Sequence, residues 1–578
     1  MAVVVDQSPE QSPDLGGEGL KRDVGLLGLM WASEGSIIGS GWLFGAFFAL
    51  TIAGPSALIG WVIASGIVIL LALVHAELGG MFPVSGGTSR YPHYAYGSLA
   101  GGTFGWFAYI QAATVAPVEV LATIQYFSTV SWASHWYKPP IAGQINGTLS
   151  GGGIIAAVVL MIAFTYINLV GIRWLANLNT GLTTWKVIIP VLTLLVLLLT
   201  HFHSGNFSSG GGFFIPGGFN IGAKAILVAI PGGGIVFALL GFEQAVQLGG
   251  ESKNPQRDLP RAVIGSILIG SAIYILLQFA FIASLNPATI THFHTWVNLA
   301  SDKALASGPF YTVAKVAGLS WLAWILRVDA VASPAGTGLI YLTSSTRLSY
   351  GLSKNGYVPE VFEKTSQRTK VPVLGVIIAA IIGLLFLLPF PSWSSLIYIV
   401  TGASVMMYAG APLALGALRK SKPNLPRSYR LPAAPVIAPL SFVLANFIVY
   451  WSGWNTVSLL MAVLLIGYAL MALSAALHLN SHVPQVDWGA AVWIFPYMIG
   501  MTIISYFGNF GAGGLFGVGG IFKNFWIGGQ GDVNIWIMML VNAAFSLVIY
   551  FLAVSQRLPS EKVDQYIREV YPTPETAH

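Results

Sequence analysis

Glu34-Gly35-Ser36-Ile37-Ile38-Gly39-Ser40-Gly41 breaks an apolar stretch near the start of the chain. Ile230-Pro231-Gly232-Gly233-Gly234, followed by Phe237-Ala238-Leu239-Leu240-Gly241-Phe242-Glu243, breaks another further on. A helix in lipid must satisfy its own backbone. Glycine clusters at membrane depth are therefore tolerated only where the chain faces protein or a water-filled cavity. Two such breaks in corresponding places of two halves point to a solute site between them.

The surrounding composition fits a membrane setting. The chain has 578 residues, 55% of them hydrophobic and only 8% charged, with a mean hydropathy of +0.73. A soluble domain carries about 25% charged residues. The expected class is all-α and polytopic, with about fourteen apolar segments from roughly 25–51 to roughly 532–553. There is no cysteine, which excludes disulfides, thiolate metal sites and a cysteine nucleophile. The first segment lacks a short apolar core with a small-residue cleavage site, so it does not read as a signal peptide.

Charge sets the expected orientation. With the N-terminus inside, twenty of the 27 Lys and Arg fall in the tails and in every second connection, all cytoplasmic. Five (Lys138, Lys224, Lys303, Lys315 and Lys523) fall outside, and Lys186 and Arg327 lie within spans. That split is a positive-inside signal. The net charge of +6 thus marks topology in a lipid bilayer, not a nucleic-acid surface. The loop near 480–486 has no Lys or Arg, so the last two spans are the least fixed. The implied setting is a cell membrane, inner or plasma, with both termini cytoplasmic.

The breaks divide the first ten segments into five and five, so the second set enters the membrane from the opposite side. The expected organisation is a disordered tail over about 1–20, a five-helix repeat over about 21–200 and an inverted repeat over about 222–420. Four accessory helices follow over about 430–556, then a solvated tail over about 557–578.

Ile37-Ile38-Gly39-Ser40-Gly41 resembles the first-span signature of the amino acid–polyamine–organocation transporters. Phe237 to Glu243, continuing through Glu251-Ser252-Lys253-Asn254-Pro255-Gln256-Arg257-Asp258-Leu259-Pro260-Arg261-Ala262, resembles that family's sixth span and following loop. Arg347 with Gly356-Tyr357-Val358-Pro359 is similar to its motif after the eighth span. The resemblance covers roughly residues 20–430. It implies the leucine-transporter fold, with broken first and sixth helices, and transport of amino acids or related amines.

Half-helix ends suit such a solute. N-termini offer free N–H groups to a carboxylate, and C-termini offer free carbonyls to an ammonium. The amides of Gly39, Ser40 and Gly41 are candidates for the first role. Carbonyls near Ile37, Phe237, Ala238 and Leu240 are candidates for the second. The bland alternative is that these glycines only let helices pack closely. Phe237 is a candidate gate on the resemblance, against an ordinary packing phenylalanine.

Lys186 lies mid-span, where an ionisable residue is a functional candidate. A buried lysine can carry and release a proton, and proton-coupled relatives carry a fifth-span lysine in similar context. Its alternatives are a structural tie or a side chain reaching an interface. Ser333 is the candidate eighth-span partner. Asp329 lies one turn from Ser333, and Glu34 one turn before the first break, where the family usually has a small or apolar residue. Glu34 reads as an extra proton site, a partner for Lys186 or part of substrate selection. Glu119 and Glu243 read as structural or relay carboxyls, and Arg327 need not pair with Asp329.

No nucleotide-cradling motif, metal spacing or nucleophile–base set appears in the sequence, and no cofactor is implied. Asn146-Gly147-Thr148 is a weak glycosylation pattern. The leading expectation is a proton-coupled amino acid symporter. An amino acid/amine exchanger of the same fold and a sensor or channel are the alternatives. The substrate's side chain and the oligomeric state are not legible.

Overall fold

The structure, a computed structural model, describes residues 22–84, 86–138, 147–170, 172–366, 371–388, 391–482, 484–510, 531 and 533–570, without the side chains of 172–180 and 569–570. The expected tail over 1–20, Asn146 of the glycosylation pattern, Arg368, Lys370, Lys523 and residues 571–578 lie outside it.

The architecture is all-α. Leu26–Ile37 (α1) and Ser40–Ala53 (α2) are two halves of one interrupted helix, followed by Ala57–Met81 (α3), Gly87–Tyr96 (α4) and Ser98–Phe127 (α5). Gly151–Val170 (α6) and Ile172–Thr200 (α7) come next. A second interrupted helix comprises Phe219–Gly232 (α8), Ile235–Leu239 (α9) and Glu243–Gln247 (α10). Pro255–Ser284 (α11), the short Pro287–Phe293 (α12), Lys303–Ser307 (α13) and Pro309–Val316 (α14) lead to the 35-residue Ser320–Lys354 (α15). Val373–Leu387 (α16), Trp393–Ser421 (α17), Ala434–Trp451 (α18), Trp454–Ala476 (α19), Trp488–Ala491 (α20), Ile494–Phe507 (α21), Ile535–Ser555 (α22) and Ser560–Val570 (α23) complete the chain. Tyr137–Lys138 and Thr148–Leu149 form a two-strand antiparallel clip.

Ten helical runs among the described residues are long and apolar enough to cross a membrane. The fourteen apolar segments of the sequence exceed this number for physical reasons. The 42-residue run Ser40–Met81 holds parts of two segments, and α8 and α16 are short. α15 carries Arg327, Asp329, Arg347 and Lys354 along its length.

α5 and α17 are buried on all sides through their apolar windows and form the centre. α6 and α19 bury about a quarter of theirs (28% each), so their apolar side chains face outward, as in lipid. Where α3 ends, Glu77 is fully buried. It accepts from Arg419 Nε (2.9 Å) and Nη2 (2.5 Å), from Arg427 Nε (3.1 Å) and from the Leu431 amide (2.7 Å). This clamp joins α3, α17 and the segment after α17.

The tail differs from its expectation as a purely solvated stretch. Residues 560–570 form α23, whose strong amphipathic pattern seats Val563 in the core. Lys562 and Tyr566 both bond Asp487, and the Tyr566 ring lies 4.4 Å from His93 of α4.

Candidate functional site

The first interruption spans only Ile38 (φ −91°, ψ 84°) and Gly39 (φ −119°, ψ −140°). The second takes two steps. Pro231 and Gly232 remain helical, and the chain kinks at Gly234 (φ +80°). It unwinds fully at Leu240 (φ −72°, ψ 146°) and Gly241 (φ +133°). Of the two parts of the expected second break, the Pro-Gly cluster makes a kink and the Phe237–Glu243 run holds the full opening. A φ of +133° is open to glycine and strained for a side chain.

The two openings meet. A Cβ on Gly41 would stand 2.8 Å from Cα and Cβ of Ala238, and one on Gly241 would stand 2.6 Å from the Ile37 nitrogen. Ser33 Oγ donates to the Phe242 carbonyl (3.2 Å) and accepts from the Ala245 amide (3.3 Å). Between the openings lies a small cavity, closed down to about the room of one water molecule. Ile37, Gly39, Gly41, Phe237 and Leu240 line it, with Glu119 of α5 and Thr337 and Tyr341 of α15. Phe237 is 6% exposed and meets the Trp393 ring edge-on at 5.7 Å. Trp393 in turn donates to Ser40 Oγ (2.8 Å).

Charged groups surround the first opening. The Lys186 ammonium donates to the Gly35 carbonyl and to Thr337 Oγ1 (2.7 Å), and is buried. It therefore does not reach for an interface. Thr337 Oγ1 also donates to the Gly35 carbonyl (3.0 Å). Here Ser333 is corrected: the eighth-span hydroxyl on Lys186 is Thr337, one helical turn further on. Ser333 donates instead to Asp329 Oδ1 (2.7 Å). Asp329 also accepts from Trp42 Nε1 (3.0 Å) and Trp185 Nε1 (2.8 Å), so its carboxylate ties α2, α7 and α15 together. Arg327 bonds the Thr129 carbonyl and the Tyr311 hydroxyl and does not pair with Asp329.

Two expected backbone donors and acceptors are already engaged. The Ser40 amide donates to Glu119 Oε2 (2.8 Å), so a side-chain carboxylate occupies the start of α2. Glu119 Oε1 is buried without a partner. The Ile37 carbonyl accepts from Tyr274 Oη (2.7 Å) of α11. A Cβ on Gly39 would stand 2.7 Å from Thr337 Oγ1 and 2.8 Å from Glu119 Oε1, which is why this position is small.

Glu243 anchors the second opening. It accepts from the Gly241 amide (2.9 Å), Tyr341 (2.8 Å), Tyr408 (2.5 Å) and Gln111 (3.3 Å). Glu34 lines no part of the cavity, and both its carboxyl oxygens are buried without a partner. Thr337, Tyr341, Trp393 and Tyr274 are site residues that sequence reasoning missed. Only Thr337 left a trace there, as a hydroxyl one turn from Ser333.

A profile of the amino acid permease family matches residues 24–499. The chain is 37% identical over 500 residues to the glutamate/serine transporter AimA of Bacillus subtilis (strain 168), covering 86% of this chain and 89% of that protein. It is 32% identical over 551 residues to the aspartate-proton symporter of the same organism, covering 94% and 98%. It is also 25% identical over 459 residues to the human large neutral amino acids transporter small subunit 2, covering 78% and 79%. Together with the interrupted helices, these matches make the chain a member of the amino acid permease family: a multi-pass membrane transporter, not an enzyme.

Proposed function

We propose that this chain is a proton-coupled amino acid symporter that imports its substrate by alternating access. Lys186 carries the reading: a buried ammonium bridges the Gly35 carbonyl, just before the first opening, and Thr337 of α15. A cation at that place joins α1 to α15 while it keeps its proton. Loss of the proton removes the charge, weakens the bond to the Gly35 carbonyl and lets α1 part from the bundle. Transport and proton release are then one event.

The cavity supports an amino acid as cargo. The start of α2 favours an anion, and Glu119 now sits there as an internal carboxylate on the Ser40 amide. A substrate carboxylate takes that seat, with Gly39 and Gly41 beside it. Glu119 moves off or becomes neutral, since two anions do not share one half-helix end. The ammonium faces the carbonyls released where α9 stops, around Ala238 and Leu240, and Phe237 closes over the bound solute. Glutamate, aspartate and serine are the first substrates to test, because the similar transporters are named for them.

On this reading α1–α7 and α8–α17 form two five-helix repeats of opposite orientation. Both termini lie in the cytoplasm, and α18–α22 are accessory. Support comes from the placement of the two interruptions and from the charge asymmetry of the connections.

Purified protein in liposomes tests the proposal. Uptake of labelled glutamate, aspartate, serine, leucine and agmatine is compared with and without an inward proton gradient. Gradient-driven accumulation of an amino acid is expected. A strict need for internal substrate would make the protein an exchanger, and flux far above carrier rates would make it a channel.

A further inference from the structure

Glu34 lies on α1 between Met30 and Ile37, one turn from each. The Met30 methyl lies 3.2 Å from where a Cβ on Gly265 would stand, and Ile37 Cγ2 lies 2.8 Å from that of Gly270. The face carrying Glu34 is thus pressed against α11 where two glycines let the helices close up. The side chain is 1% exposed, and neither oxygen has a partner. Ser271 Oγ of α11 is likewise buried and unpartnered.

Most of the described ionisable groups on the helices packed around this half-helix are engaged elsewhere. α1 packs against α7, α10, α11 and α15. Lys186 of α7 holds Gly35 and Thr337, and Tyr274 of α11 donates to Ile37. Glu243 of α10 takes Tyr341 of α15 and Tyr408, while Asp329 of α15 takes Ser333 and two indoles. Arg347 of α15 pairs with Glu251 at 3.0 Å. Arg257, Asp258 and Arg261 belong to the first two turns of α11, before Gly265.

This geometry favours one of the three readings of Glu34. It is not a partner for Lys186, whose donors go to Gly35 and Thr337. Nor does it line the cavity where a substrate would be selected. A buried ionised carboxylate with no protein donor is costlier than the neutral acid, so the neutral form suits the arrangement in which α1 is closed on α11.

We infer that Glu34 carries a second proton across the membrane with each substrate. This rests on the proton-coupled reading above. In an outward-open arrangement the proton comes from external water by way of the cavity, whose lining begins two residues on at Ser36, and forms the carboxyl O–H. When α1 parts from α11, water reaches the carboxyl, the O–H breaks and the proton leaves to the internal water. A carboxyl on the moving half-helix is dry in one arrangement and wet in the other. Two protons with one glutamate anion move a net positive charge inward, so the membrane potential also drives uptake.

The test measures proton and labelled L-glutamate fluxes together in liposomes clamped at zero potential. The native protein is expected to move two protons per glutamate and Glu34→Gln one. For a tenfold proton gradient, limiting accumulation then falls from about 100-fold to about 10-fold. Equal ratios in the two proteins overturn the inference, as does a native ratio of one. Absence of any gradient-driven uptake by the native protein overturns the symport reading beneath it instead. A second measurement does not need transport. Infrared difference spectra between acid and alkaline buffer should show a neutral-carboxyl band that Glu34→Gln lacks. Identical spectra also overturn the inference.

Discussion

The α1–α2 opening and the α9–α10 opening share one cavity and are held in opposite ways. At the first, two ionisable side chains from other helices reach in. Lys186 holds a carbonyl on one side, and Glu119 holds an amide on the other. Each has few bonds, and Glu119 keeps one oxygen free. At the second, Glu243 belongs to the interrupted helix itself and is filled by a backbone amide, two tyrosines and a glutamine. A sparsely bonded charge changes partners at little cost, whereas a fully bonded buried carboxylate is expensive to disturb. The proposed mechanism accordingly puts the switch at the first opening and the fixed point at the second.

The largest expected effect is at the switching side. Lys186→Ala should lose uphill uptake in liposomes under an inward proton gradient, and Lys186→Arg should lose it too, because arginine does not give up its proton. Native-like accumulation by either variant would move the switch elsewhere. The next effect tests the meeting of the two sides. A methyl on Gly41 stands 2.8 Å from the Ala238 backbone, which has no flexible end to yield. Gly41→Ala should weaken substrate binding by about tenfold or more, as overpacking costs about 1–3 kcal/mol. Tryptophan-fluorescence titration of purified protein would read it.

A third change probes the fixed side. Glu243→Gln sets an amide group against donors, so it should lower stability by about 2–3 kcal/mol in a detergent melt. The pH profile of residual uptake should stay native. A shifted profile would mean that the second opening also titrates. The smallest effect separates two hydroxyls one turn apart. Thr337→Val should slow gradient-driven uptake by about tenfold, the loss of one bond to a charged group. Ser333→Ala should stay within about twofold, since the indoles of Trp42 and Trp185 still hold Asp329. Equal effects would erase the distinction between them.

Sequence patterns reached different depths in different places. Glycine clusters in apolar runs located both interruptions, because broken helices need residues that tolerate unusual backbone. Their centres were less legible. Pro231 and Gly232 read as part of the break, yet proline sits comfortably in a membrane helix when neighbours satisfy the freed carbonyl. The gap opens at Leu240–Gly241 instead. Lys186 was legible because a charge in an apolar span demands a reason. Its partner was not, because Ser333 and Thr337 are equally plausible hydroxyls until the register of α15 against α7 is known. Glu119's seat on Ser40 joins residues 79 positions apart, and the Trp393–Ser40 bond joins residues 353 apart. No local period encodes such pairings. α23 was missed because charged residues on one helix face resemble a solvated stretch until Val563 is seen to have a core to enter.

The Glu77 clamp has a consequence in time. Its carboxylate is made in α3, while its first arginine partner comes 342 residues later and its last donor, the Leu431 amide, 354 residues later. At synthesis rates of about 5–20 residues per second, that separation is a wait of about 20–70 s. During that interval the anion has no partner, so the end of α3 must remain near water or headgroups. Seating that end is therefore a late assembly step that waits for the ribosome to pass residue 431. A nascent chain stopped before Arg419 should expose this helix end to protease, and one extended beyond Leu431 should close it.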